Sequence, residues 1–148
     1  MIKVESVLPA ARARLAVLGT DARLVEAATL LTDAERNLIV IGDDAGRIAG
    51  VVTRTDIVRR IGHCTGFSCT TEVKHVMSRK VISCRPEDWL EDVWRAFSTH
   101  RLKNIPVLDA EQTPIGILNV RDALLALLED VQYEEQLLRD YVMGVGYH

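Results

Sequence analysis

The sequence predicts an α/β protein of the α+β kind, made of two tandem β-α-β-β-α repeats and closed by a long C-terminal helix. Three observations predict it. A shift of 66 positions lays Leu24–Asp56 on Leu90–Asp122 without a gap, with identities at Leu24/Leu90, Ile39/Ile105, Asp43/Asp109, Gly50/Gly116 and Asp56/Asp122. Within each copy, helical periodicity alternates with short apolar runs bounded by turn residues. The chain then runs from Arg121 to Met143 with neither Pro nor Gly. A repeat of this kind cannot bury a full core alone, so the two copies are expected to pack on each other.

The elements follow in order. Copy one opens with a short apolar strand, LAVL at 15–18, and copy two with VISC at 81–84. A helix comes next, LVEAATLLTDAE at 24–35 and LEDVWRAFSTHR at 90–101. Leu90, Val93, Trp94 and Phe97 recur on one face of a helix, and Pro86, Glu87 and Asp88 suit its start. A hairpin follows. In copy one LIVI at 38–41 and IAGVV at 48–52 flank Asp43-Asp44-Ala45-Gly46; in copy two NIPVL at 104–108 and PIGIL at 114–118 flank Asp109-Ala110-Glu111-Gln112. Such turn residues tolerate tight backbone angles. Second helices begin near Arg54 and near Val120. Residues 62–76, GHCTGFSCTTEVKHV, have the composition of a connection. The chain is therefore divided into repeat one at 1–62, a linker at 63–74 and repeat two at 75–148.

The last helix is longer than a small sheet needs. Leu124, Val131 and Leu138 are spaced by seven, as are Leu128 and Val142 with Glu135 between them. That spacing suits helix pairing, so a homodimer is expected; the alternative is a helix that folds back on its own module.

Bulk properties exclude several classes. The 148 residues carry a net charge of −3, 48% hydrophobic and 26% charged residues, an ordinary globular composition. No Lys/Arg block could follow a phosphate backbone, and 5% aromatics leave few stacking platforms, so nucleic acid is not an expected partner. No apolar run reaches the roughly 20 residues that span a bilayer. MIKVESVLPAARARLAVLG has no continuous apolar segment of a signal peptide, so a cytoplasmic location is expected. Three cysteines, Cys64, Cys69 and Cys84, form no framework and suit a reducing compartment.

The sharpest local feature is the junction between the last strand and last helix of each copy. Copy one reads Gly50-Val51-Val52-Thr53-Arg54-Thr55-Asp56 and copy two Gly116-Ile117-Leu118-Asn119-Val120-Arg121-Asp122. One reading is structural: Thr53 or Asn119 caps the helix and the Asp completes a capping box. The other is chemical. A helix N-terminus offers free N–H groups to an anion, and a carboxylate in its first turn can accept both ribose hydroxyls, as in dinucleotide folds. A Thr hydroxyl adds a further donor and acceptor. The two readings are compatible.

Two such junctions, the NIPVLD stretch at 104–109, HVMS at 75–78 and the ending LLRDYVMG together resemble a tandem pair of CBS domains, named from cystathionine β-synthase. The ending is similar to the tail of small stand-alone bacterial members. The resemblance implies a disc-like pair with a pseudo-two-fold axis and two clefts. It implies that the clefts bind AMP, ADP, ATP, S-adenosylmethionine or NAD(H), that the ligand modulates a partner, and that two modules form a homodimer. By the same resemblance Asp56 and Asp122 are ribose carboxylates and Thr53 a hydroxyl ligand. Ile39, Val40, Ile105 and Val107 make an apolar floor for adenine, and Arg121 reaches phosphate. Asn119 stands where Thr or Ser is usual, Pro106 opposes Val40, and Thr55 opposes Arg121. One secure cleft is expected, with Thr53 and Asp56, and one less secure.

Other constellations are weaker. His63, Cys64, Cys69, His75 and Cys84 lack the paired spacing of a zinc site, so no metal and no required cofactor is expected. No nucleophile motif or phosphate-binding glycine loop is present, and no catalytic residue is assigned. The remaining alternatives are a CBS-type interaction module without ligand and, less favoured, a redox enzyme using NAD(H) or the linker cysteines.

Overall fold

The computed structural model describes residues 1–62 and 71–146. Short 3-10 turns at Val4–Val7 and Val73–His75 join the following helices and strands: α1 (Leu8–Arg14), β1 (Val17–Gly19), α2 (Leu24–Leu30), β2 (Leu38–Gly42), β3 (Ile48–Thr53), α3 (Arg54–Gly62), α4 (Leu90–His100), β4 (Asn104–Leu108), β5 (Pro114–Asn119) and α5 (Val120–Gly146). The mixed helix-and-sheet class and the long last helix are as expected.

Both hairpins keep one register. Val40 pairs with Val51 in β2/β3, and Pro106 with Ile117 in β4/β5, partners again 66 apart. The repeated aspartates explain the turns. Asp43 Oδ1 accepts the N–H groups of Ala45 and Arg47, and Asp109 Oδ1 those of Glu111 and Thr113. Gly46 and Gln112 occupy the same left-handed position, with φ of 82° and 67°.

Three expectations change. The strand at 81–84 is absent as a strand. β1 pairs parallel with β2 through Val17/Val40, Leu18/Ile41 and Gly19/Gly42, whereas copy two keeps only the bridge Cys84/Val107. The cause is Pro106. In copy one the Val40 N–H donates to Ala16 O at 2.9 Å; Pro106 has no N–H to offer at that place. The helix expected over 24–35 stops at Leu30. Asp33 Oδ1 takes the Glu35 N–H, and the Arg54 guanidinium takes Leu31 O and Asp33 O, so side chains end the helix. Finally, α1 stands where no element was expected.

The core explains α1. One cluster joins Val4 and Ala11 to Leu90, Phe97, Ile105, Val107 and Leu118 of repeat two. The other joins Val73 to Leu24, Ile39, Ile41 and Val52 of repeat one. Each repeat is thus completed by the segment that opens the other. A third cluster, Leu38, Val40, Val51 and Ile117, lies between the sheets.

The crossing is tight. A Cβ on Gly50 would stand 2.7 Å from Ser78 O and 2.8 Å from Met77 Sδ; one on Gly116 would stand 2.9 Å from Ala11 Cβ and 3.0 Å from its carbonyl carbon. Met77 and Ala11 are also 66 apart. Gly50→Ala should therefore lower stability by about 1–3 kcal/mol, the usual cost of overpacking, measured by the urea midpoint with an unchanged slope.

Candidate functional site

Each repeated junction sits where a strand ends in a helix, close to an opening segment. In repeat one the Thr53 N–H donates to Asp56 Oδ2 at 2.9 Å, the Thr53 hydroxyl donates to the same oxygen at 3.1 Å, and the Asp56 N–H lies 3.3 Å from Thr53 Oγ1. This is a capping box. It uses one carboxylate oxygen; Oδ1 has no hydrogen bond among the described residues.

Two cavities flank this first turn of α3. One, about 220 Å³, is lined by Asp56, Arg59, Arg60, His75 and Val76. The other, about 350 Å³, holds Thr53, Arg54 and Thr55 against Arg101, Leu102, Lys103 and Asn104 of repeat two, with Asn37 and Leu38. Arg54 is committed to the end of α2 and to Asn37 Oδ1 at 2.6 Å. Arg59, Arg60, Arg101 and Lys103 are exposed. Arg101 adopts a left-handed conformation, φ 53° and ψ 43°, which turns the chain from α4 into this wall and is uncommon for a residue with a Cβ.

Repeat two is built differently. Asn119 Oδ1 accepts the Arg121 N–H at 2.9 Å, and its amide donates to Asn104 Oδ1 at 3.0 Å. Asn119 thus caps α5 without Asp122. The carboxylate of Asp122 instead receives Arg14, Nε to Oδ2 at 2.7 Å and Nη2 to Oδ1 at 3.3 Å. This hydrogen bond raises the Arg14 pKa further above its ordinary value, and burial opposes the rise. Arg14 also donates to Glu35 O at 3.1 Å. The cavity here, about 400 Å³, is lined by Ala10, Ala13, Arg14, Asp33, Glu35, Arg36 and Asp122. Arg121 points to no partner among the described residues and is exposed.

The pseudo-equivalent walls carry opposite charge. Asp33 and Glu35 correspond by the same shift to Thr99 and Arg101. The structure brings Thr53 and Asp56 together on the basic side, and Asn119 and Asp122 to the start of α5 on the acidic side. Ile39, Ile105 and Val107 are fully buried in the repeat cores and Val40 between the sheets. None of these four lines the cavities described above, which hold Asp56 and Asp122 among the described residues. Alternation along β2 and β4 turns Ile39, Ile105 and Val107 toward the helices.

Arg14 was missed by sequence reasoning. The signal was available, since the repeat extends N-terminally to place Arg14 opposite Lys80 and Ala11 opposite Met77. His63, Cys64 and Cys69 lie outside the described residues. Among the described residues no three His, Cys, Asp or Glu side chains gather as metal ligands, and no helix is long and apolar enough to cross a membrane. His75 lines the Asp56 cavity; Cys84 is buried in the core of repeat two.

Two repeats that exchange opening segments and present paired clefts at strand–helix junctions define a tandem-repeat module. The family model described as "CBS domain" matches residues 4–63 and 73–129, and the chain belongs to the CBS-domain family. The CBS domain-containing mitochondrial protein CBSX3 of Arabidopsis thaliana is 28% identical over 102 residues, 68% of this chain and 48% of that protein. A homoserine O-acetyltransferase of Methanohalophilus mahii is 28% identical over 96 residues, 65% of this chain and 19% of that protein. The chain therefore spans about a fifth of one curated relative and about half of the other. The structure of CBSX2 in complex with AMP matches with a TM-score of 0.73 at 23% identity, over 87% of this chain and 98% of that one. The CBS domain pair of MJ0100 in complex with 5′-methylthioadenosine and S-adenosylmethionine also matches at 0.73, with 19% identity over 88% and 98% of the two chains.

Cys84 gives a pH prediction. Burial first, and the nearby Asp88 charge second, push its thiol from an ordinary 9.0 up to about 12. The folded protein thus holds this proton more tightly than the unfolded chain. The associated stability is complete below about pH 9 and is lost as pH rises from 9 to 12. At pH 8 iodoacetamide should leave Cys84 unmodified in the native protein and modify it in urea, as read by peptide mass.

Proposed function

We propose that the chain is a cytoplasmic regulatory module that binds an adenosine-type ligand in the cleft at Thr53 and Asp56 and thereby modulates a partner protein. The observation that carries this is Asp56 Oδ1, which takes no hydrogen bond among the described residues and lies beside walls rich in Arg and Lys. The carboxylate is already oriented by its capping box, so a ribose diol would meet a fixed acceptor. Arg59, Arg60 and Arg101 would face phosphate, and Leu38, Leu102 and Val76 supply apolar edges for a base. The ligands of CBSX2 and MJ0100 support the adenosine class. At the second cleft Asp122, with Asn119 and Arg121 beside it, stands at the position equivalent to the ribose carboxylate, and there Arg14 holds it. Regulation follows from population shift: the ligand favours whichever arrangement of the repeats it binds better. One observation favours a ligand-free interaction module instead, the occupation of Asp122 by Arg14.

The test is a thermal-stability titration with AMP, ATP, S-adenosylmethionine and NADH. A ligand specific to the native state at a hundredfold excess over its dissociation constant adds about 2.7 kcal/mol. We expect a rise for at least one ligand and its loss in Asp56→Ala. No rise with any of them favours the ligand-free interaction module.

The same reading includes a homodimer. Leu128, Val131, Leu138 and Val142 of α5, with Val58 and Ile61 of α3, expose apolar surface; Val58 is 68% and Leu138 63% accessible. α5 runs 27 residues, about 40 Å at 1.5 Å per residue, and from Val131 to Met143 it is exposed throughout. An exposed apolar stripe of this kind marks an interaction site. The double substitution Leu128→Glu, Leu138→Glu should convert a dimer to a monomer in sedimentation equilibrium without altering the far-UV spectrum.

A further inference from the structure

Four observations set Arg14 apart. Both of its hydrogen-bonded contacts to Asp122 are short enough to form a two-point clasp, 2.7 and 3.3 Å. Such a planar fork holds a carboxylate in one geometry and occupies both oxygens. The clasp is sheltered, with the side chains of Arg14 and Asp122 only 21% and 20% exposed. A third donor of the same guanidinium binds Glu35 O, so Arg14 ties α1, the turn after α2 and the start of α5 together across one cleft. At the pseudo-equivalent place the basic residue is Lys80, which is exposed and makes no ion pair with Asp56 among the described residues. A lysine offers a point charge on a flexible stem and cannot form the planar fork.

We infer that Arg14 is a specificity-determining residue that closes the second cleft to ribose, so that the module takes one adenosine ligand per chain. This rests on the nucleotide reading above. The fork takes the lone pairs by which the two oxygens of Asp122 face the same side, and those that remain point away from each other, so a vicinal diol spans both oxygens only by displacing Arg14. The cavity remaining beside the clasp carries Asp33 and Glu35 against the single further cation Arg36, so the ligand's anionic end meets two carboxylates for one guanidinium and gains little to offset displacement of Arg14. In the first cleft Asp56 keeps an oxygen free and the walls are basic. Asn119 makes the clasp feasible: it caps α5 by itself and releases Asp122 from the role that Asp56 performs for Thr53.

The test is the stoichiometry of AMP and, separately, S-adenosylmethionine by isothermal titration calorimetry, on the wild-type chain, Arg14→Ala, Arg14→Lys, Asp122→Ala, Asp56→Ala and the double variant Arg14→Ala, Asp122→Ala. Expected are one site per wild-type chain, unchanged in Asp122→Ala and lost in Asp56→Ala. Arg14→Ala should gain a second site, and Arg14→Lys should gain it too, because lysine keeps the charge but not the fork. The double variant should return to one. Far-UV spectra and melting curves of each variant confirm the folded state, and Arg14→Lys covers the case in which Arg14→Ala does not fold. Two sites in the wild-type chain, one of them lost in Asp122→Ala, overturn the inference while leaving the nucleotide reading intact. A single site in both Arg14 variants also overturns it. Absence of binding by every protein, the Arg14 variants included, overturns the nucleotide reading and this inference together.

Discussion

The structure depends on one steric constraint, the absence of a side chain at Gly50 and Gly116. At these two positions the opening segment of one repeat crosses the hairpin of the other at backbone contact distance. The crossing at Gly50 is sealed by a pair of hydrogen bonds, Val51 N–H to Ser78 O at 3.0 Å and Ser78 N–H to Val51 O at 2.9 Å. Closer approach brings Val73 into the core of repeat one and Val4 and Ala11 into that of repeat two. Neither core is complete without the exchange, so folding of the repeats is coupled. The same crossing brings His75 and Val76 to Asp56, and Ala10 and Arg14 to Asp122. The clefts are therefore consequences of how the cores are closed.

Pseudo-symmetry holds for the frame and fails at the sites. Four of the five identities of the repeat have places in the frame. Leu24/Leu90 and Ile39/Ile105 are buried, Asp43/Asp109 hold the hairpin turns, and Gly50/Gly116 permit the crossing. Asp56 and Asp122 share a position but not a bond. The difference begins one turn earlier, with Thr53 against Asn119. A threonine hydroxyl caps through Oγ1 and uses the aspartate to hold its own N–H; an asparagine reaches the N–H two residues on, an Asx arrangement that needs no second side chain. The freed carboxylate then finds Arg14.

Much of this was legible. The hairpins, their turns and α4 follow from apolar period and turn chemistry at 38–52 and 90–118. The capping geometry of Thr53 and Asp56 follows from the residues themselves. Long-range partners were not legible. The loss of the strand at 81–84 needs the knowledge that Pro106 faces that segment, and the early end of α2 needs Arg54 to arrive from α3. Helix α1 exposes alanine and arginine and has a single buried residue, Ala11; its sequence carries little period, and only extension of the repeat past Leu24 reveals its counterpart around Met77. The adenine floor is the instructive case. Ile39, Ile105 and Val107 lie on strands beside the cleft motifs and are fully buried in the repeat cores, where full burial of such side chains stabilises by about 1.5–3 kcal/mol each; the face of the strand they take is set by packing that the motif alone does not reveal.

The proposed ligand response has a mechanical basis in the same frame. α3 and α5 begin at the two cleft motifs, and both expose apolar residues away from the cleft, Val58 and Ile61 on one and Leu124 to Val142 on the other. A ligand that joins the first turn of α3 to Arg101 and Lys103 of repeat two acts between the repeats, on a contact sealed by the small cluster Leu38, Val40, Val51 and Ile117. Tightly packed interiors do not deform smoothly; they move between discrete packings, so a ligand that favours one packing re-aims both helices together. The opposite cleft is held by Arg14, which fixes α5 to α1 whether or not the first cleft is filled. Because Arg14 ties α5 to α1, α1 would move with α5, and the exposed stripe of α5, whose residues beyond Glu129 extend past the matched family segment, would carry the proposed change outward.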